Sequence, residues 1–185
     1  MLRIAALAVL SLSLIGCAAR VQPASDAERF TAFAVNPEGG AAGTVQIAVN
    51  RWTTDEQRAR LVQTLRESGP EALLAALQDV PELGTIRTPD SLGYPLHYAH
   101  QTPREDGGRR IVIATDRPIG FWEAVNRPRT IDYPFTVVQI EMGPDGVGEG
   151  KMSVATRILA YQNIIELENF AAQPVRLQQV RSEPR

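Results

Sequence analysis

Hydrophobic residues alternate with small or polar residues in the part of the chain that follows residue 29. Residues 30–35 form one such run, which ends at a cluster of turn-forming residues, 36–40. In the next run, 44–52, Val45, Ile47 and Val49 fall on one face, because successive side chains of a strand point to opposite faces. The pattern therefore predicts two strands joined by a turn.

A helical spacing of apolar residues replaces the alternation after residue 52. Apolar positions 61, 62 and 65 lie on one helical face, and Thr53 and Glu56 have the spacing of a capping box. Gly69 and Pro70 then interrupt the pattern, with glycine where helices end and proline where they begin. We therefore predict two helices, 53–67 and 71–79, that share this break and form a helical hairpin.

The residues after position 83 are typical of strands in succession. They show no alternation of strands with helices, which excludes a doubly wound parallel sheet. We predict an α+β fold of mostly antiparallel β structure: a sandwich or partly open barrel with the helical hairpin packed on it, in one domain of residues 30–183. The predicted strands are 84–88, 94–101, 109–115, 133–142, 151–162, 164–170 and 174–180.

The first 16 residues have the layout of a signal peptide. A short basic start containing Arg3 precedes an apolar run, 4–15, that is too short for a membrane-spanning helix. The run closes with Leu14-Ile15-Gly16-Cys17, which resembles the lipobox of bacterial lipoproteins. This resemblance implies cleavage before Cys17 and attachment of a lipid to its sulfur.

The lipobox resemblance also implies a location in the cell envelope. Ala18 follows the cysteine, which in a cell with two membranes implies the periplasmic face of the outer membrane. We expect residues 17–29 to be a lipidated tether that reaches at most about 40 Å, so that the membrane is a partner through the lipid. An ordinary cleavage after residue 19, which would release a soluble protein, is the alternative.

The composition of the chain argues against some classes of function. The 19 Lys and Arg residues nearly balance the 21 Asp and Glu residues, for a formal net charge of −2 in 185 residues. A chain without a basic excess lacks the electrostatic footprint of a nucleic-acid-binding protein. Its one cysteine forms no internal disulfide and supports no cysteine-based zinc site. We therefore expect no nucleic-acid partner and no cofactor.

Runs of sequence in the body of the chain carry a second resemblance. Among them are Phe121-Trp-Glu-Ala-Val-Asn-Arg-Pro128, Gly148-Glu-Gly-Lys-Met152 and Ile165-Glu-Leu-Glu-Asn169. They resemble an uncharacterised family of bacterial secreted proteins, and the similarity covers most of residues 30–181. The resemblance agrees with a location outside the cytoplasm and implies no activity, cofactor or catalytic residue.

Sequence spacing argues against several common active sites. His97 and His100 lie three residues apart on a predicted strand and so face opposite sides, which keeps them from sharing a metal unless the strand bulges. The glycine-rich segment 143–150 lacks the Gly-Lys-Ser/Thr of a phosphate loop and has too few carboxylates for a calcium loop, so we predict a hairpin loop there. The sequence contains no Gly-x-Ser-x-Gly nucleophile motif. We therefore predict no metal site.

The long connection 116–133 is the candidate ligand-binding segment. Aromatic faces beside arginine side chains can hold a planar or anionic ligand. The alternative is that the connection closes the open end of the sheet, with its aromatics in the core and its charges solvated. The candidate ligand-binding residues are Arg117, Phe121, Trp122, Glu123, Arg127, Arg129, Asp132 and Tyr133.

These features predict a lipid-anchored envelope protein that is a non-enzymatic binding or structural module, with an envelope protein or a small ligand as partner. The alternative is a membrane-anchored hydrolase in which the fold assembles carboxylates and His97 or His100. A cleft that gathers Asp116, Glu123, Asp132 and a histidine would favour the hydrolase. A third hypothesis is a solute carrier with an apolar pocket inside a barrel.

We predict that Cys17 is the first residue of the mature protein and carries a diacylglyceryl group. The intact mass of the protein extracted from membranes with detergent should equal the chain from residue 17 plus this lipid. A soluble mature form that begins at Arg20 would show that the prediction is wrong.

Overall fold

A computed structural model describes residues 27–38, 40, 42–88, 91–119, 132–161, 164–169 and 173–184. The predicted fold class is confirmed, because the described residues form antiparallel strands and one helix. The order of elements is β1 (Glu28–Val35), β2 (Ala42–Val49), α1 (Asp55–Gln78), β3 (Gly84–Arg87), β4 (Tyr94–Leu96), β5 (Tyr98–Pro103), β6 (Arg109–Thr115), β7 (Phe135–Met142), β8 (Val147–Tyr161), β9 (Ile164–Asn169) and β10 (Val175–Pro184). Cys17 lies outside the described residues, so its lipidation stays a prediction.

The strands form one sheet that curls into a nearly closed barrel. Their order is β4-β3-β2-β1-β10-β8-β7-β6-β5, with β9 paired to the far half of β8. The first and last strands of this order, β4 and β5, are consecutive in the chain and are separated by His97 alone. Because β4 pairs with β3 while β5 pairs with β6, the bend at His97 brings the two ends of the sheet together.

Apolar side chains fill the inside of the barrel. Phe30 of β1, Ile47 of β2, Ile111 of β6 and Ile140 of β7 are all buried in one cluster. They point inward because alternate residues of each strand share a face. Burial of one such side chain contributes about 1.5–3 kcal/mol to folding, so this cluster holds the barrel together.

The capping box of helix α1 lies one residue later than the sequence pattern indicates. Thr54 is its N-cap: the Gln57 N–H donates to the Thr54 hydroxyl, and the Thr54 N–H donates to the Gln57 side chain. The prediction that Thr53 and Glu56 form the capping box is therefore wrong. Thr53 bonds instead to strand β5, where its hydroxyl accepts from the Ala99 N–H and its own N–H donates to the Ala99 carbonyl.

Gly69 breaks α1 at the predicted place. Its φ of 82° and ψ of −175° lie in a region that is open essentially only to glycine. A straight helix of 24 residues would be about 36 Å long, yet both ends of α1 lie against the junction of β4 and β5. Thr53 bonds there to Ala99, and the Val80 carbonyl bonds to the His97 ring. The two segments of α1 therefore fold back toward each other at Gly69, as the sequence predicts.

We predict that Gly69→Val destabilises the protein by about 1–3 kcal/mol, because valine is strained at this backbone conformation. No atom lies within 4 Å of a Cβ built at Gly69, so the loss reports backbone strain rather than a clash. The measurement is urea unfolding followed by circular dichroism. Ser68→Val, at the exposed neighbouring position, is the matched control and should cost about 0.5 kcal/mol or less. Equal losses in the two variants would contradict the assignment of strain to Gly69.

Candidate functional site

The outer face of β5, β6 and β7 is the floor of a groove beneath α1. Strand register sets its side chains in three cross-strand rows, because residues two apart on a strand share a face. The first row is mostly apolar, the second is mixed, and the third is polar and charged. The rows are Tyr98–Ala114–Val137, His100–Val112–Gln139 and Thr102–Arg110–Glu141.

The walls of the groove come from α1 and from the hairpin of β8 and β9. Both segments of α1 contribute leucines because the helix folds back at Gly69. The groove has a volume of about 960 Å³, which is the size of a small-molecule site. Its apolar wall residues include Leu61, Leu65, Leu73, Leu77, Ile158, Ile165 and Leu167.

The charges at the far end of the floor are paired with one another. Arg104 lies 2.9 Å from Asp106 and 3.1 Å from Glu141. The Arg110 Nε donates to the same Glu141 carboxylate over 2.6 Å. These side chains are partly exposed, so each pair adds little to stability. Their charges nevertheless compensate each other at this end of the groove.

Arg58 stands at the β5 side of the groove, on the second turn of α1. Its guanidinium lies near the Tyr98 hydroxyl, and both side chains line the groove. Burial raises the pKa of the Tyr98 phenol, although the charge and hydrogen bond of Arg58 act in the opposite direction. Within the described part of the chain, Arg58 forms no ion pair with a carboxylate. The groove therefore has a positive charge on the rim beside a neutral phenol.

His100 joins the start of α1 to the floor. Its Nε2 lies 2.8 Å from the Asp55 carboxylate, which only accepts hydrogen bonds, so Nε2 carries a proton. The ring also stacks on Tyr98, with the ring centroids 6.2 Å apart. His100 thus borders the same edge of the groove as Arg58.

His97 has different partners at the other end of α1. Its Nδ1 lies 2.8 Å from the Val80 carbonyl, and its Nε2 lies 3.7 Å from the Asp116 carboxylate. The His97 and Asp116 side chains are only 12% and 9% exposed. Among the residues that the structure describes, no group of three or more His, Cys, Asp or Glu side chains could hold a metal ion.

Arg117 and His97 together control the ionisation of Asp116. Burial by itself would raise the pKa of Asp116, but the hydrogen bond and charge of Arg117 and the charge of His97 outweigh that effect. The pKa of Asp116 is therefore held below its ordinary value. The Arg117 Nε lies 3.1 Å from the same carboxylate.

Three members of the predicted ligand site lie among the described residues, and each has partners there. Arg117 pairs with Asp116, whereas Asp132 lies 3.8 Å from Arg157 of β8. The Tyr133 hydroxyl donates to Glu168 of β9 over 3.0 Å, and Arg157 also lies over the Tyr133 ring. Five members of the predicted site fall outside the described residues, so the site as a whole stays a prediction. They are Phe121, Trp122, Glu123, Arg127 and Arg129.

Sequence reasoning missed the groove, although β6 carries a signal for it. Ile111 and Ile113 of this strand point into the barrel, whereas Val112 and Ala114 point outward. A strand that is apolar on both faces is covered on both. This pattern could have indicated that the helix packs on the outside of β6.

No family model, curated protein or solved structure matches the chain. No helix of the described residues is long and apolar enough to cross a membrane. The groove and the buried His97–Asp116 pair are therefore the features from which function can be inferred.

We predict that Asp116→Asn lowers the melting temperature at pH 7 and that the difference from the wild type shrinks in acid. Because the pKa of Asp116 is lower in the folded protein than in the unfolded chain, its ionised form stabilises the fold above the ordinary aspartate pKa, about 4. This contribution is lost as the pH falls through the lower folded pKa. Melting temperatures measured from pH 7 down to pH 2 test this.

The matched control for this experiment is Asp132→Asn. Its carboxylate is 62% exposed and lies 3.8 Å from its partner, so its loss should change stability by about 0.5 kcal/mol or less. An Asp116→Asn variant that follows the wild type at every pH would contradict the prediction.

Proposed function

We propose that this chain is a lipid-anchored cell-envelope protein that binds an apolar or amphipathic small molecule in the groove beneath α1, without acting as an enzyme. The groove itself carries the proposal. Its volume of about 960 Å³ and its lining of leucine, isoleucine and valine side chains match the size and character of small-molecule sites.

The way in which the groove is built favours a binding site over an accidental gap in packing. Its floor belongs to the barrel, one wall to α1 and another to the hairpin of β8 and β9. Each element is held by its own contacts: Thr53 and Val80 bond to β5 and His97, while β9 pairs with β8 along its whole length. The walls can therefore stay apart when the groove is empty. Burial of an apolar ligand there would contribute about 0.8 kcal/mol for each CH₂ group.

The proposal that the protein is lipid-anchored rests on the resemblance of Leu14-Ile15-Gly16-Cys17 to a lipobox. A lipid on Cys17 would hold the barrel within the reach of its tether, about 40 Å from the membrane surface. Amphipathic molecules concentrate at that surface. Location and groove chemistry therefore agree.

One observation favours the hydrolase as a second candidate. His97 and Asp116 are buried side by side, with 3.7 Å between Nε2 and Oδ1. However, both ring nitrogens of His97 face oxygen acceptors, the Val80 carbonyl and the Asp116 carboxylate. A general base needs a free nitrogen directed at substrate, and this arrangement instead favours a structural role. Release of p-nitrophenol from p-nitrophenyl esters, dependent on His97, is the result that would favour the hydrolase.

We predict that Val112→Phe weakens ligand binding at least about tenfold, because the larger side chain fills the middle of the groove floor. The full chain is held in lipid nanodiscs and labelled with a diazirine derivative of dodecanol, an uncharged apolar probe. The yield of labelled protein at increasing probe concentration is measured by intact mass.

Val147→Phe is the matched control, because Val147 is partly exposed at the start of β8 and does not line the groove. It should label like the wild type, and both variants should keep the wild-type melting temperature within a few degrees. Equal labelling of Val112→Phe and the wild type, or no saturable labelling of either, would contradict the proposed function.

A further inference from the structure

The polarity of the groove changes from one side to the other across its strands. The β5 side carries Arg58, the Tyr98 hydroxyl and the His100 ring. Along the first row the floor then becomes apolar, at Ala114 on β6 and Val137 on β7. The opposite wall consists of Ile158, Ile165 and Leu167. A ligand that lies across the strands along this row would therefore meet polar groups at one end only.

From this polarity we infer that the ligand is a single-chain amphiphile with a carboxylate head group. The inference rests on the proposed function and adds the chemical class of the ligand. The head would lie beside Arg58 and Tyr98, and the chain would cross the floor toward Ile158.

Charge complementarity supports a negatively charged head group. Four of the charged side chains around the groove are already paired: Arg104 with Asp106 and Glu141, and Arg110 with Glu141. Asp55 is engaged by His100 over 2.8 Å. The cation left without a carboxylate partner among the described residues of the groove is Arg58, whose guanidinium presents several donors in one plane.

Two carboxylates near the groove have no arginine partner among the described residues: Asp55, which bonds to His100 and whose charge acts on Tyr98, and Glu105. Glu105 is exposed in the turn between β5 and β6, beyond the third row of the floor. Tyr98 and Arg58 stand at the first row, at the opposite end of β5. Glu105 therefore does not cancel the charge of Arg58 where the head group would lie.

The hydrogen-bond chemistry of Tyr98 also suits a carboxylate. Burial raises the pKa of the phenol, so the hydroxyl keeps its proton. This protonated hydroxyl lies beside Arg58 and is able to donate a hydrogen bond to an anion. Arg58 and Tyr98 can therefore both donate to the same carboxylate, and hydrogen bonds to an ionised acceptor are stronger than neutral ones.

The width of the floor sets the length of the chain. Three strand spacings separate β5 from β8, which is about 14 Å, the extended length of an acyl chain of roughly twelve carbons. A dodecanoate chain would thus reach from Arg58 to the wall formed by Ile158 and Leu167. A second acyl chain would have to share the same floor.

The test compares two photoreactive probes with the same twelve-carbon chain, diazirine-bearing dodecanoate and dodecanol. Both label the full chain in lipid nanodiscs, and intact mass gives the labelling yield as a function of probe concentration. We expect the wild type to bind the carboxylate at least about fivefold more tightly than the alcohol. Arg58→Gln should remove this preference by lowering labelling with the carboxylate probe to the level of the alcohol.

Arg66→Gln is the matched control. Arg66 is an exposed arginine of the same helix that does not line the groove, so its loss changes net charge equally and should preserve the preference. Peptide mapping should place the label on the floor or on the wall formed by β8 and β9.

Several outcomes would overturn the inference. Equal binding of the two probes by the wild type, or a preference that persists in Arg58→Gln, would mean that Arg58 does not recognise the head group. The proposed function would still stand in either case. If dodecyltrimethylammonium competes for the groove more strongly than dodecanoate, the head group that the groove prefers is positive and our assignment of a negative head group is wrong. If neither probe labels the groove, the proposed function fails as well. In that case, a dimer that Val112→Phe dissociates in sedimentation would identify a second copy of the chain as the occupant.

Discussion

The bend at His97 allows one stretch of chain to pair with two strands that would otherwise be the open edges of the sheet. β4 bonds to β3 and β5 bonds to β6. The backbone groups of β3 and β6, which could otherwise pair with strands of other chains, are therefore bonded within the molecule. The helix is attached at the same junction, with Thr53 bonded to Ala99 and Val80 to His97. The closure of the barrel therefore also fixes where α1 lies.

The groove follows from the fact that the barrel has apolar residues on its outer face. Val112 and Ala114 of β6 point away from the core; Ala114 is buried together with the leucines of α1, whereas Val112 is only half-buried. The hairpin of β8 and β9 adds a wall at the far side. An apolar groove outside a packed barrel differs from the internal pocket that the sequence suggested as a solute site.

Local pattern predicted most of the fold. The structure places β6 at the predicted residues 109–115 and the helix break at Gly69, because strong alternation and a Gly-Pro pair act locally. The N-cap of α1 was predicted one residue early because Thr53 bonds to Ala99, a partner distant in sequence. The predicted loop 143–150 is shorter in the structure, since β8 begins at Val147 and Gly150 pairs closely with β7. The two apolar faces of β6 indicate that its outer face is covered, but the groove also depends on the register of β5, β6 and β7, which is set between strands.

The pairing of β1 with β10 has a consequence for the order in which the chain can fold. Among the described residues these are the first and last strands in sequence, yet they are neighbours in the middle of the sheet, so the loop that their pairing closes contains nearly all of the described chain. Such long-range pairing slows folding. The β1–β2 hairpin and α1 can form early, but the ring of strands stays open until β10 has been synthesised. A nascent chain can therefore form most of its hairpins during synthesis, but the barrel closes only when β10 pairs with β1 and β8.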